Sequence, residues 1–318
     1  MKTGERGKDF LRLSYLSREE ALEIIERAKD LKKRQKNRIR YKPMEGRTLA
    51  MIFEKPSTRT RVSFETGIYQ LGGQPIYLSS GDIQISRGET VKDTARVLSR
   101  YVDMVMIRAF SQDMVEELAA ESSVPVINGL TDLTHPCQVM SDLFTIAETR
   151  DWSLDNLKVT YVGDGNNLTN SWINAAALLG FEFTVSCPEE LMPDEVILKE
   201  GIKKSGGKIK IEENPLAGVK DADVIYTDTW MSMGDDPSLR ERKLDMLKIY
   251  QVNGELLKSA PESCVVMHCL PAHRGEEITD DVMDGERSIV YVQAENRLHV
   301  QKAIMDILNQ RQEASGGG

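Results

Sequence analysis

The chain has 318 residues, with 40% hydrophobic and 29% charged side chains, the proportions of a globular protein with a core of its own. That length suits about two domains of ordinary size. Lys plus Arg number 41 against 50 Asp plus Glu, a net charge of −9, and so acidic a balance argues against nucleic acid as the main partner.

No apolar run approaches the roughly 20 residues of a membrane span. The opening Met1-Lys2-Thr3-Gly4-Glu5-Arg6 leads into no signal-peptide core. No membrane partner and a cytoplasmic address are therefore expected. Cys137, Cys187, Cys264 and Cys269 form no C-x-x-C pair and are expected to be free thiols. The end, Ala314-Ser315-Gly316-Gly317-Gly318, is expected to be a flexible tail.

Along the chain, Ser17 with Glu20 three residues on is a capping box. Ala21, Leu22, Ile24, Ile25, Ala28 and Leu31 follow it at helical spacing. The basic cluster from Lys32 to Arg38 ends that helix, where cations are favourable, and is expected to be a solvated terminus. A strand is predicted over 48–53, a helix over 60–71 stopped by Gly72-Gly73, and a strand over 75–78. A helix over 89–100, a strand over 104–107, a helix around 115–120 and a strand over 124–127 continue the alternation. A helix over 135–147 joins the halves. The second half has strands at 159–162, 182–186, 208–211, 224–226 and 264–268, and a last helix over 294–308. Strand–helix alternation of this kind implies parallel sheets covered by helices on both faces. The expected fold class is α/β: two doubly wound parallel-sheet domains joined by helices.

Phe53-Glu54-Lys55-Pro56-Ser57-Thr58-Arg59-Thr60-Arg61 lies between a strand and a helix. Helix N-termini carry partial positive charge and free N–H groups. Placing Lys55, Arg59 and Arg61 there is unfavourable unless a multivalent anion occupies the site. Ser57, Thr58 and Thr60 add hydroxyl donors, and Arg59 suits a bidentate grip on phosphate. The bland alternative is a capped helix with its Arg residues in solvent. His135-Pro136-Cys137-Gln138 opens the joining helix with an imidazole and an amide.

Three more polar segments each follow a predicted strand: 163–167, 228–234 and 268–271. Ligands of open parallel sheets bind at strand carboxyl ends, so the three are expected to converge. Gly163-Asp164-Gly165 is not a dinucleotide fingerprint, because Leu168 stands where the third glycine belongs. His268 and Cys269 are strand neighbours facing opposite ways, which excludes a Cys–His dyad. The other three cysteines are assigned to packing.

Ser57-Thr58-Arg59-Thr60-Arg61, His135-Pro136-Cys137-Gln138, Asp228 with Ser232-Met233-Gly234, and His268-Cys269-Leu270-Pro271 resemble the four signature motifs of the ornithine carbamoyltransferases, in the family's order and spacing. The resemblance spans essentially the whole chain. It implies a carbamoyl phosphate-binding domain over 1–147, with the C-terminal helix, about 294–311, packed back onto it, and an ornithine-binding domain over 148–293. Ser57, Thr58, Arg59 and Thr60 would bind phosphate, assisted by Arg108, with Gln84 a further contact. His135 and Gln138 would hold the carbamoyl end, and Cys269, Leu270 and Arg297 would close the site as further carbamoyl phosphate contacts. Asn167, Asp228, Ser232 and Met233 would bind ornithine, and the Leu270-Pro271 bond would be cis.

The implied reaction is attack of the side-chain amine of L-ornithine on carbamoyl phosphate, as in arginine biosynthesis and the urea cycle. Arg59, Thr60, Arg108 and His135 are donors suited to the negative charge that develops. The catalytic set would be Arg108, His135, Asp228 and Cys269, the last two helping a protonated amine lose its proton. No cofactor, metal or covalent intermediate is implied. Gly234, Asp235 and Asp236 suit a lid. His273 and Arg274 receive no role. A homotrimer, or a higher assembly of trimers, is implied, with Gln84 reaching a neighbouring subunit.

Two rivals remain. One is a transcarbamylase for putrescine, aspartate or an acylated ornithine. Against it, Asp228 with the short polar loop suits a free α-amino acid, and the aspartate enzyme has Pro where Cys269 stands. The other is a non-enzymatic ligand sensor, against which the intact phosphate cluster argues.

Overall fold

The computed structural model describes residues 7–83, 88–231, 238 and 240–316. Its first helix, α1 (Arg18–Lys36), opens on the expected capping box: Ser17 Oγ accepts from Glu20 N, and Ser17 N donates to the Glu20 carboxylate. Ala21, Ile24, Ile25, Ala28 and Leu31 are buried, but Leu22 faces solvent. The basic cluster that ends the helix is largely solvated, as expected, with Lys33, Lys36 and Arg38 exposed, but Lys32 is an exception. It is buried, donates to Asn296 Oδ1 at 2.7 Å and lies over the Phe144 ring.

The chain then runs β1 (Thr48–Phe53), α2 (Thr58–Gln70), β2 (Gln74–Ser79), α3 (Val91–Leu98), β3 (Met104–Arg108), α4 (Gln112–Glu121), β4 (Val126–Leu130) and α5 (Pro136–Thr149). All four strands are parallel, in the order β2-β1-β3-β4. Leu49, Ala50, Met51 and Ile52 are fully buried, which is why β1 shows no alternation of apolar and polar residues. Several predicted boundaries move by one to three residues, and the helix predicted over 89–100 shortens to Val91–Leu98. α2 begins at Thr58 rather than residue 60 because Ser57 caps it. β4 begins at Val126 rather than residue 124, and runs to Leu130.

The second series is β5 (Lys158–Val162), α6 (Asn167–Leu179), β6 (Glu182–Ser186), α7 (Glu195–Ser205), β7 (Ile209–Ile211), α8 (Pro215–Gly218), β8 (Val224–Thr227), α9 (Arg240–Leu247), α10 (Gly254–Lys258), β9 (Val265–His268), α11 (Asp280–Met283) and α12 (Val290–Gly316). These strands are also parallel, in the order β7-β6-β5-β8-β9. Trp172 anchors the core of this part, stacked on Phe183 and edge-on to Phe181 and Tyr226. α12 starts four residues before the predicted helix and takes in Ala314 and Ser315 of the supposed tail.

Contacts divide the chain into two units, residues 1–144 with 296–318, and residues 145–295. In each sheet the strand order reverses once, between β1 and β3 in the first and between β5 and β8 in the second. Ligands of such sheets bind at the carboxyl ends of the strands beside that reversal. No helix among the described residues is long and apolar enough to cross a membrane.

Candidate functional site

In the first unit, β1 leads directly into the N-terminus of α2. Ser57 Oγ accepts from Thr60 N at 3.3 Å and donates to Thr60 Oγ1 at 3.1 Å. The buried Thr60 Oγ1 also accepts from Arg297 Nη2 at 2.9 Å. The first turn carries no acidic residue. Two of the three cations invoked from the sequence are, however, neutralised within the protein. Lys55 pairs with Asp132 and lies over the Phe110 ring. Arg61 pairs with Glu65 at 2.8 Å and lies over the Tyr77 ring. Arg59 is the cation that remains: it is half-buried, and its guanidinium has no hydrogen-bond or ion-pair partner among the described residues. Thr58 beside it is exposed.

Arg108 ends β3, next to the reversal point, and is 6% exposed. Beyond β4, Thr131 and Thr134 both donate to Gln112 Oε1, at 2.7 and 2.9 Å, and Asn128 donates to Thr134. This buried network holds the loop that presents His135, whose carbonyl accepts from Val139 N as α5 begins. Burial pushes the His135 imidazole well below its ordinary value of 6.5, and the Arg297 and Arg108 charges act in the same direction. His135 is therefore a neutral group within electrostatic reach of two guanidiniums. Gln138 is buried one turn along α5; its Nε2 donates to Asp142 at 2.9 Å, while its buried Oε1 has no hydrogen-bond partner among the described residues. An open buried acceptor costs about 1–3 kcal/mol, so this one suits a ligand that brings an N–H.

In the second unit, the described parts of the three segments, 163–167, 228–231 and 268–271, converge at the ends of β5, β8 and β9, which are adjacent in the sheet. Asp228 follows β8 and is 8% exposed. Its Oδ1 accepts from Thr229 N and from Cys269 Sγ, each at 2.7 Å, and its Oδ2 accepts from Asn166 Nδ2 at 3.0 Å. Asn166 also caps α6, accepting from the N–H groups of Leu168 and Thr169. Its neighbour Asn167, the residue expected from the resemblance, is the first residue of α6 and half-buried. Leu270 has φ 59° and its bond to Pro271 is cis. Gln84, Ser232, Met233 and the proposed lid residues Gly234, Asp235 and Asp236 lie outside the described residues.

One exclusion needs a different reason. β9 ends at His268, so Cys269 does not obey strand alternation, and a ring nitrogen of His268 lies within 4.8 Å of the thiol. The dyad is still not made. His268 Nδ1 accepts from Leu270 N and Nε2 bonds Glu277, while the thiol is turned to Asp228. Cys137, Cys187 and Cys264 are buried, and burial pushes each thiol up to about 12.

Sequence reasoning missed several neighbours of these groups. Tyr161, on β5, is fully buried; burial holds its hydroxyl well above its ordinary range, reinforced by Asp164, Asp228 and Cys269. Lys243 pairs with Asp164 at 2.9 Å. His273 Nδ1 bonds Thr229 Oγ1 at 2.9 Å. Only Asn166 had a local signal, as a capping residue ahead of an apolar helix; the others are joined by tertiary contact.

Comparison with known proteins divides the chain at nearly the same point, although the second family model runs on into residues that pack in the first unit. The carbamoyl-phosphate-binding domain of the aspartate/ornithine carbamoyltransferases matches residues 8–148, and the Asp/Orn-binding domain of that family matches residues 155–308. An ornithine carbamoyltransferase of Syntrophus aciditrophicus is 52% identical over 301 residues, covering 95% of this chain and 99% of that protein. One from Geobacter metallireducens is 51% identical over 298 residues, covering 94% and 98%. The solved ornithine carbamoyltransferase of Pyrococcus furiosus superposes with a TM-score of 0.90 at 49% identity, covering 95% of this chain and 97% of that one. The anabolic enzyme of Campylobacter jejuni gives 0.90 at 40% identity, covering 96% and 99%. The chain belongs to the ornithine carbamoyltransferase family and is a transferase.

Proposed function

We propose that the protein transfers the carbamoyl group of carbamoyl phosphate to the side-chain amine of L-ornithine, giving L-citrulline and phosphate by direct attack in a ternary complex. The observation that carries this reading is Arg59: a guanidinium with no counter-ion among the described residues, at a helix N-terminus whose first turn holds no acid. Helix N–H groups, the Ser57, Thr58 and Thr60 hydroxyls, Arg59, Arg108 and Arg297 together suit a dianion. Neutral His135 donates to the carbamoyl oxygen, and Gln138 Oε1 accepts from the carbamoyl amide. The same donors stabilise the oxyanion as the amine attacks, and then the departing phosphate.

The unit around 1–147 takes carbamoyl phosphate in this reading, and residues 148–293 take ornithine through Asp228, Cys269 and Asn167. Asp228 and Cys269, held thiol to carboxylate at 2.7 Å, position the amine and help it lose its proton, which the Asp228 carboxylate accepts. Leu270 completes the carbamoyl phosphate contacts. Roles for Gln84, Ser232 and Met233 rest on the family resemblance. The free state of all four cysteines supports a cytoplasmic address. The anabolic naming of the Campylobacter jejuni relative supports a place in arginine biosynthesis. A homotrimer is supported by large apolar side chains on the surface of the first unit, among them Val62, Tyr69 and Tyr101.

The test offers ornithine, putrescine, aspartate and N-acetylornithine in parallel with carbamoyl phosphate. Rapid carbamoylation of ornithine alone is expected. Turnover with another amine would overturn the assignment of Asp228, and turnover with none would return the protein to the ligand-sensor reading.

A further inference from the structure

Glu277 lies eight residues past Cys269 and outside the four motifs, yet it is fully buried. Its Oε1 accepts from His268 Nε2 at 2.9 Å and from His273 N at 2.6 Å. His268 is fully buried too, and its Nδ1 accepts from Leu270 N at 2.9 Å. An imidazole nitrogen that accepts carries no proton, so the ring proton sits on Nε2 and points at Glu277. The carboxylate thus selects the one tautomer that can bind the Leu270 amide, much as a carboxylate behind a metal-bound histidine fixes its ring. Cys269 is the residue between these two anchored ones.

The other contact leads to the same place. His273, whose amide is held by Glu277, bonds Thr229 Oγ1 through Nδ1 at 2.9 Å. Thr229 N in turn donates to Asp228 Oδ1, the oxygen that receives the Cys269 thiol. The loop after β8 and the loop after β9 are therefore tied to each other twice, once by the thiol–carboxylate contact and once through His273.

We propose that Glu277 is a positioning residue for the amino-acid half of the reaction, setting the Cys269–Asp228 contact through His268 on one side and through His273 and Thr229 on the other. This rests on the functional reading above for its kinetic consequence, though not for its geometric one. Asp228 belongs to the ornithine side alone, while Leu270 also completes the carbamoyl phosphate contacts, so the larger effect falls on ornithine and a smaller one on carbamoyl phosphate.

The experiment uses the full-length chain and the variants Glu277→Ala, Glu277→Gln and His273→Ala. Loss of a buried acceptor shared by two donors is expected to raise the ornithine KM of Glu277→Ala about 10-fold or more, with a rise of no more than about threefold in the carbamoyl phosphate KM. Glu277→Gln keeps an accepting oxygen and should recover most of that loss. His273 is exposed, so His273→Ala should fold and raise the ornithine KM about threefold. Iodoacetamide labelling supplies a readout free of turnover, because Cys269 is the one thiol of the four that is not buried. Its alkylation should be fastest in Glu277→Ala, slower in His273→Ala and slowest in the unaltered chain. Equal rises in both KM values, or a Gln variant no better than Ala, overturn the proposal. If Glu277→Ala fails to fold, unchanged ornithine KM and unchanged labelling in the other two variants overturn it. If the unaltered protein does not carbamoylate ornithine, the functional reading fails and the labelling order alone decides: the expected order upholds the positioning role, and equal rates end it.

Discussion

Arg59 and His135 show how a single side chain is assigned its work by its surroundings. Lys55 and Arg61 have carboxylates and ring faces of their own; Arg59 has neither among the described residues. Arg59→Met should weaken carbamoyl phosphate binding by about 1.5–3 kcal/mol, roughly 10- to 150-fold. A titration showing unchanged affinity would remove Arg59 from the phosphate site. His135 makes a prediction in pH. Its folded value lies well below 6.5, the ordinary value it returns to on unfolding. Below about pH 6.5 the unfolded chain therefore binds a proton that the folded chain refuses, and stability falls with pH by up to about 1.4 kcal/mol per unit. Above that pH both states are neutral and the effect vanishes. Denaturant unfolding of the protein and of His135→Asn at pH 7.5, 6.5 and 5.5 should give the shallower acid slope to the variant; parallel slopes would contradict a buried neutral imidazole.

At the scale of an element, the turn from β5 into α6 has no spare room. Gly165 N donates to Leu191 O at 2.6 Å, and a Cβ on Gly165 would stand 2.1 Å from Pro193 N and 2.3 Å from the Met192 carbonyl carbon. Backbone must move to admit it, and Asn166, which caps α6 and bonds Asp228, is the next residue. Gly165→Ala is expected to lower stability by about 1–3 kcal/mol and to weaken ornithine binding as well. Gly180→Ala is the control. It meets nothing within 4 Å but has φ +75°, so it should cost about 1 kcal/mol in stability without touching ornithine binding. Urea midpoints together with ornithine KM values separate the two; equal KM values would show that the turn does not position Asp228.

For the whole molecule, Val62 and Tyr69 are exposed one above the other on α2, seven residues apart, and Tyr101 is 75% exposed on the same unit. Large apolar groups on one face need a partner surface. Sedimentation should give a mass about three times the 35.8 kDa of one chain, and Tyr69→Asp should shift the population toward single chains. A single-chain mass for the unaltered protein would end the trimer proposal.

The order of strands and helices, and the residue types at the strand ends, could be read from local pattern. Uninterrupted apolar runs such as 48–53 belong to parallel strands buried on both faces, and capping residues such as Ser17 are local signals. The motifs after those strands were legible for the same reason, since chemistry at the end of a strand is a short-range pattern. The tertiary structure alone decided which charged groups were already paired. Lys55 with Asp132 is a contact across 77 residues, and Lys32 with Asn296 one across 264. The links from Cys269 to Asp228, from His273 to Thr229 and from Arg297 to Thr60 were hidden in the same way. Periodicity describes what a residue does to its own helix or strand; whether a cation, a thiol or an imidazole is left available depends on side chains brought to it from elsewhere in the chain.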